Sequence, residues 1–287
     1  MLALYKKELK SYFFSMTGFV FVFVLLAAFG VFVTVYNLVV SYASLAYAVG
    51  SVQIILLFTV PILTSRILAS EKRARTDRLL YSLPVSSLAV VLAKYLAMLT
   101  VFATALVPVA VYPIVLSVFG SVPLFPSYAA LVGFFLLGAA LIALSTFLSA
   151  LTESQVVAAV ASLGVVLGLY LFPTLATMIP SGAVASLVAF LLLALLVGGV
   201  LHLVSRSLLV PVVTGGALAL SATVVYLVDP KLLRGAFPTL LERLALFERF
   251  DVFVSGIFDV TALVYFLSFS VFFLYLTVAT FEKKRYA

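Results

Sequence analysis

The chain has 287 residues, of which 66% are hydrophobic and only 9% are charged. A soluble domain carries roughly 25% charged residues, so this chain has too little polar surface to fold as a soluble globule. The net charge of +7 could indicate nucleic-acid binding, but the basic residues lie in short loops beside apolar runs, as orientation signals do. The composition therefore predicts a multi-pass membrane protein that does not bind nucleic acid.

Long apolar runs divide the chain into eight predicted transmembrane helices within a single all-α membrane domain, residues 1–287. A span needs about 20 apolar residues to cross about 30 Å of hydrocarbon. The predicted spans are 17–37, 47–68, 92–119, 128–151, 155–175, 183–203, 208–228 and 260–281. We treat the first as a retained span, since it is longer than a signal-peptide core. Pro108 and Pro113 should kink the third, and Pro173 and Pro180 should bracket the turn after the fifth.

The first residues, 1–16, combine an apolar stripe with a basic face. The stripe consists of Leu2, Tyr5, Leu9, Tyr12 and Phe13, and the basic face of Lys6, Lys7 and Lys10. This pattern predicts an interfacial helix lying on the cytoplasmic leaflet, in contact with membrane lipid. A merely basic tail before the first span is an equal alternative.

A charged island, residues 66–87, separates the second and third apolar runs. Leu79, Leu80 and Leu83 fall on one face at helical spacing. Pro84 then ends that helix, and Ser86 or Ser87 can cap the next one. The pattern predicts a short amphipathic helix on the cytoplasmic surface that offers an apolar edge to a partner. The alternative is an ordinary basic loop that only sets membrane orientation.

The distribution of charge predicts the topology. All but four of the 17 basic residues fall on the cytoplasmic side if the N-terminus is inside, and the three short outer loops are uncharged. We therefore predict that the chain lies in the cytoplasmic membrane. An even number of spans places both termini in the cytoplasm. The four exceptions lie with acidic residues in a longer segment, 229–259, which can remain outside because orientation is set by short loops.

Within 229–259 the sequence predicts one amphipathic helix, 238–250, on the outer surface. Pro238 suits its first turn. Its apolar face consists of Phe237, Leu240, Leu241, Leu244 and Phe247. The helix could act as a gate or lid over a pathway, for which Leu241 and Phe247 are candidate residues, or it could be a connector that lies on the surface.

Motifs for catalysis and for ion coupling are missing from the sequence. There is no phosphate-binding loop and no H-E-x-x-H motif, and with no Cys and one His no Cys- or His-based metal site is expected. No span carries the central acidic or basic residue of an ion-coupled carrier. We therefore predict no catalytic, cofactor or metal site. A transporter of this kind would take its energy from a partner.

Three stretches resemble ABC-2-type transporter permeases. Glu71-Lys-Arg73-Ala-Arg-Thr76-Asp-Arg-Leu-Leu80-Tyr-Ser-Leu-Pro84-Val resembles that family's E-x-R-x-x-T-x-x-L-L-x-x-P-V stretch after the second span. The opening Tyr5-Lys-Lys-Glu8-Leu-Lys-Ser-Tyr-Phe is also similar. Phe250-Asp-Val-Phe-Val-Ser-Gly256-Ile-Phe-Asp259, continuing to Glu282-Lys-Lys-Arg, resembles the gliding-motility-type subgroup. Together the likeness covers about residues 1–175 and 229–287.

The resemblance implies that two permease subunits pair, as a homo- or heterodimer, and that separate ATP-binding subunits dock beneath them. Residues 69–87 would be the cytoplasmic coupling element that meets the ATPase. The implied coupling residues are Glu71, Arg73, Thr76, Asp77, Leu80 and Pro84. Gly256 and Asp259 map to the segment near the outer mouth. No enzymatic activity would belong to this chain itself.

Two features depart from the family pattern. Arg75 stands where the family often has Gly, and the usual core has six spans, so residues 183–228 look like an inserted helical hairpin. Apart from these two departures, the resemblance predicts that the chain is the permease subunit of an ATP-driven exporter. The alternative is a non-transporting membrane scaffold or accessory subunit of a surface-machinery assembly complex.

Overall fold

The structure, a computed structural model, describes residues 1–69, 86–205 and 209–285, and in these ranges it is helical without strands. The helices are α1 (Leu2–Phe13), α2 (Met16–Val33), α3 (Ala46–Val52), α4 (Leu56–Ser65), α5 (Ser87–Val109), α6 (Tyr112–Phe119), α7 (Leu124–Leu151), α8 (Gln155–Met178), α9 (Ala183–Ser205), α10 (Leu209–Val228), α11 (Ala236–Leu244), α12 (Leu246–Val254) and α13 (Val260–Arg285). A π-helical turn, Thr34–Val39, extends α2, and short 3-10 turns precede α4 and α11.

Six helical stretches among the described residues are long and apolar enough to cross a membrane. They are Met16–Val39, Ala46–Ser65, Ser87–Phe119, Leu124–Leu151, Gln155–Met178 and Val260–Lys283. Helices α9 and α10 contain shorter apolar stretches, Ala183–Gly199 and Val212–Val228. The predicted all-α multi-pass membrane protein is confirmed, while the count of eight spans stays a prediction.

Proline interrupts the third predicted span but not the fifth. After Pro108 the helix α5 ends at Val109, and α6 begins at Tyr112, beside Pro113. The carbonyl of Ala110 at this break accepts a hydrogen bond from the Tyr128 hydroxyl (3.1 Å). In contrast, α8 continues through Pro173 to Met178, so the prediction that Pro173 borders the turn is wrong. A proline is tolerated inside an apolar span because neighbouring groups can satisfy the freed carbonyl.

The chain forms two compact units, and the larger, unit 1, comprises residues 1–167 and 249–287. Helix α7 is its centre, because 72% of the apolar window of this helix is buried, against 28% for α13. Four consecutive residues, 140–143, are fully buried, as expected for a helix surrounded on every side. Gly133 and Gly138 let aromatic rings lie against the α7 backbone, since an added Cβ would collide with Phe253 or Phe102.

Aromatic rings fill the space between the helices of unit 1. Phe134 of α7 contacts Phe29 of α2 (centroids 5.3 Å apart), Phe102 of α5 (5.8 Å) and Phe250 of α12 (6.1 Å). All four rings are fully buried. Edge-to-face aromatic pairs add about 0.5–1.5 kcal/mol each beyond the area they bury, so this cluster helps to fix how the helices pack.

Unit 2 comprises residues 168–248, which include the end of α8 and helices α9, α10 and α11. Helices α9 and α10 occupy the predicted hairpin, 183–228, and pack along each other. Gly215 permits their close approach, because an added Cβ would lie 3.1 Å from the Ala194 carbonyl oxygen. A small core of Ala176, Phe237 and Leu241 joins α8 to α11.

The predicted single helix 238–250 is wrong, because the structure has two helices with a break at Ala245. The backbone of Ala245 is extended, with φ −71° and ψ 95°. Ala245, Leu246 and Phe247 are all buried, and three consecutive residues span about 200° of an unbroken helix at 3.6 residues per turn. Burial of all three therefore favours a break over a continuous helix with one apolar face.

Helix α1 occurs where the sequence predicts it, but its predicted apolar stripe is divided. Glu8 and Tyr12 are buried, and the Tyr5 hydroxyl pairs with that of Thr100 on α5 (2.8 Å). Leu2, 66% exposed, and Phe13, 37% exposed, point away from the protein. Thus α1 packs on the helical bundle through one face and leaves apolar side chains uncovered on another.

Candidate functional site

Residues 69–87 are the predicted coupling element, and several side-chain hydrogen bonds lie at its two ends. Its six candidate residues, Glu71, Arg73, Thr76, Asp77, Leu80 and Pro84, lie outside the described residues. The structure does describe its flanks, the residues immediately before and after, up to Ala69 and from Ser86.

A buried ion pair lies beside the first flank. The Lys94 ammonium on α5 donates to the Glu8 carboxylate on α1 (3.0 Å) and to the Ile67 carbonyl (3.3 Å). The side chains are 1% and 11% exposed. A buried ammonium is costly unless it is paired and hydrogen-bonded. Glu8, Ile67 and Lys94, which we call the anchor cluster, therefore join α1, the end of α4 and the second turn of α5.

From sequence, Lys94 is only one of the basic residues predicted to set the membrane orientation, and Glu8 only a member of the opening stretch that resembles the family. The structure instead starts α5 at Ser87, which places Lys94 inside a helix with apolar neighbours. A lone charge seven residues into an apolar helix is the signal that could have identified it, because such a charge needs a partner. Which carboxylate would supply the partner depends on tertiary packing.

A second contact ties the chain before residue 70 to the central helix. The Ser149 hydroxyl on α7 donates to the Ser65 carbonyl (3.3 Å), and its oxygen accepts from the Ala69 amide (3.4 Å). Ser149 is fully buried. One hydroxyl thus satisfies two backbone groups that the end of α4 leaves unpaired, and holds Ala69 against α7.

The chain after residue 85 is fixed at the start of α5. The Ser86 side chain accepts from the Ala89 amide (3.3 Å), so the predicted N-cap is confirmed at Ser86. An N-cap of this type contributes about 1 kcal/mol. Ser87 is buried. Both flanks of segment 70–85 therefore belong to unit 1. The anchor cluster includes Ile67 of the first flank and Lys94 of the helix that starts at the second.

The candidate gate residues Leu241 and Phe247 belong to the packing of unit 2. Leu241 is 8% exposed in the core with Ala176. The Phe247 ring meets the edge of Tyr170, with centroids 5.1 Å apart. Both side chains therefore make contacts within unit 2, and the choice between a gate and a surface connector stays a prediction.

Gly256 and Asp259 form the turn between α12 and α13 in unit 1. Gly256 has a φ of +80°, which favours glycine, and an added Cβ would lie 3.0 Å from Pro126. The Asp259 carboxylate accepts from the Thr261 amide (2.8 Å) at the start of α13. These two residues set the direction in which the last span leaves the turn.

Before that turn, residues 249–254 of α12 place one face in the core of unit 1 and leave the other exposed. Phe250 and Phe253 are fully buried. The two charged residues on either side of Phe250 have other partners. The Gln53 amide donates to Asp251 (3.5 Å), and the Arg249 guanidinium lies 5.5 Å from the centre of the Tyr265 ring. Within unit 1, residues 249–254 of α12 thus contact Gln53, which follows α3, and Tyr265 of α13.

In the part of the chain that the structure describes, no group of three or more His, Cys, Asp or Glu side chains is placed to hold a metal ion. The described polar contacts join helices to one another. They do not converge on a reacting centre with nucleophile, base and orienting group. At the anchor cluster the polar groups of three chain segments are paired with one another.

Comparison with known proteins adds no relative. No protein-family model matches the chain, no curated protein matches it, and no solved structure matches it. The fold defines the class by itself: this is an all-α, multi-pass membrane protein.

Proposed function

We propose that the chain is the membrane-spanning permease subunit of an ABC-2-type transporter, an exporter energised by a separate ATP-binding subunit. The observation that carries the proposal is the anchoring of both ends of segment 70–85. Ala69 is held by Ser149, and the start of α5 is held through Lys94 to Glu8. The segment whose residues resemble the family's coupling stretch therefore begins and ends on spans that can receive a force.

The lack of an internal energy source favours a partner. Within the described part of α5, the charge of Lys94 is paired with Glu8. An ion-coupled carrier instead needs a charged group that can bind and release an ion. The described residues also lack a metal-binding cluster that could support hydrolysis. Energy for transport would then come from nucleotide hydrolysis in another subunit.

In this proposal the coupling element passes motion to two spans at once. Closure of the ATP-binding subunits would displace residues 71–84. The displacement would enter α4 through Ser65 and Ala69, and α5 through its first two turns. Both helices pack on α7, so a shared displacement would tilt them about that central helix. Pairing with a second permease subunit would place the pathway between the two copies.

The test is ATP hydrolysis by the assembled complex. The tagged chain is purified with its ATP-binding subunit, reconstituted in lipid vesicles, and compared with Glu71→Lys and Pro84→Ala variants. The matched control is Glu153→Lys, which makes the same charge change at an exposed residue between α7 and α8. We expect both coupling variants to lose most transport-linked ATPase activity at normal expression, while the control retains it.

The alternative function predicts the opposite result. A scaffold or accessory subunit would tolerate changes in 71–84, because its role would not depend on a moving helix. Absence of an ATP-binding partner, or a complex whose ATPase ignores these substitutions, would refute the transporter proposal and favour the scaffold.

A further inference from the structure

A polar pocket of about 160 Å³ lies between α1 and the end of α4. Lys7, Ser11 and Ser15 line it from the N-terminal side, and Arg66 lines it from the other. Its volume is well above the roughly 30 Å³ that one water occupies in the liquid. It therefore has room for a small polar group such as a phosphate.

The chemistry of the lining suits an anion. Lys7 and Arg66 bring two basic side chains, and the Ser11 hydroxyl can donate a hydrogen bond. The Ser15 hydroxyl donates to the Tyr12 carbonyl (3.2 Å), and the Arg66 guanidinium uses one of its five N–H donors on the Thr17 hydroxyl. The carboxylate that also lines the pocket, Glu8, is already paired with the Lys94 ammonium at 3.0 Å. Its negative charge is therefore compensated by Lys94 and does not oppose the two basic side chains of the lining. Arginine and lysine are the side chains that bind phosphate oxygens most strongly.

The position of the pocket identifies the source of the phosphate. Ser15 directly precedes the candidate span that starts at Met16, and Arg66 directly follows the one that ends at Ser65. Both residues therefore lie where two spans leave the hydrocarbon, at the depth of the lipid headgroups. Beside the pocket, Phe14 and Met16 are 87% and 85% exposed, as expected for side chains that contact lipid.

We infer that this pocket, between Lys7 and Arg66, binds the phosphate of an anionic membrane lipid. The headgroup occupies the space between α1 and the end of α4, and the acyl chains lie along the exposed apolar side of α2. Bound in this way, the lipid joins the N-terminal helix to the span that leads into segment 70–85. The inference is independent of the proposed transporter function, since it needs no ATP-binding partner.

The test is lipid binding by the purified full chain, measured by native mass spectrometry during titration with phosphatidylglycerol or phosphatidylcholine. We expect preferential retention of phosphatidylglycerol. The pair Lys7→Gln with Arg66→Gln should weaken its binding by at least about tenfold, because two charge-assisted contacts are lost. The matched control, Lys6→Gln with Lys10→Gln, removes the same charge from exposed positions of α1 and should change binding less than about threefold.

Two further measurements separate a defined pocket from general surface charge. Ser11→Leu fills the pocket without changing its charge and should also weaken binding; retained binding would overturn the inference. Equal losses in the site pair and the control pair would overturn it as well. Displacement of phosphatidylglycerol by millimolar inorganic phosphate would reassign the site to a free anion and refute the lipid. Size-exclusion profiles and helicity verify that each variant is folded.

Discussion

Replacing Lys94 by Met should be one of the most destabilising single changes in unit 1. The substitution keeps the length of the side chain but leaves the Glu8 carboxylate, 11% exposed, without its ammonium partner. Removing one member of a buried ion pair costs about 3–5 kcal/mol. The residual exposure of Glu8 lets water reach the carboxylate, so we expect the lower end, about 3 kcal/mol. At about 2–4 °C per kcal/mol, the thermal midpoint should fall by about 6–12 °C.

The assay must suit the composition of the chain. It has neither Trp nor Cys, so indole fluorescence and thiol dyes give no signal, and far-UV circular dichroism in detergent is the direct measure of unfolding. Lys6→Met, at an exposed position of α1, is the control and should shift the midpoint by less than about 2 °C, as surface substitutions cost within about 0.5 kcal/mol.

A double variant tests the physical reason. Glu8→Leu with Lys94→Met replaces the pair by apolar side chains, which is often neutral or stabilising for buried pairs. It should therefore recover most of the stability that Lys94→Met loses. If the double variant is no more stable than the single one, or if Lys94→Met melts with the native chain, the charge pairing is not what holds α1 to α5.

Two other predictions concern packing and topology. Gly133→Ala would place a Cβ 2.6 Å from the Phe253 side chain and should lower the free energy of unfolding by about 1–3 kcal/mol through overpacking. The control is Gly30→Ala, whose Cβ would have nothing within 4 Å and should not destabilise the protein. Thermal unfolding compares the two variants. In cells, a Cys at Thr239 should react with a membrane-impermeant reagent from outside, and a Cys at Ser207 only after lysis. Labelling of Ser207→Cys in intact cells would mean that α9 and α10 do not cross the membrane, which leaves six spans.

The sequence locates the membrane helices well, because a span is decided by local composition. Apolar runs of the required length have no other stable state in lipid than a helix that satisfies its own backbone. The predicted fourth span, 128–151, corresponds to Leu124–Leu151, and the predicted fifth, 155–175, to Gln155–Met178. Local signals also identify the Ser86 cap, since a cap depends on residues within one turn.

The sequence predicts the structure of segment 229–259 less well. The periodicity of Phe237, Leu241 and Phe247 is real, and all three are buried. A pattern of apolar spacing assumes a continuous helix with one buried face, so it could not predict that Ala245 is extended. Nor could it predict that the helix after the break enters the bundle through Phe250, because burial there depends on the space beside Phe134.

The sequence by itself determined that this protein is an all-α, multi-pass membrane protein, because hydrophobicity and span length act locally along the chain. Only the tertiary structure decided what the isolated polar residues do. Glu8 and Lys94 are 86 positions apart, so their pairing cannot be read from neighbouring sequence. Their pairing results from the packing of α1 on α5. Apolar helices can pack in many arrangements of similar hydrophobic energy, so local sequence does not specify this one. The ion pair that joins α1 to the helix following the candidate coupling element is therefore visible only in the folded chain.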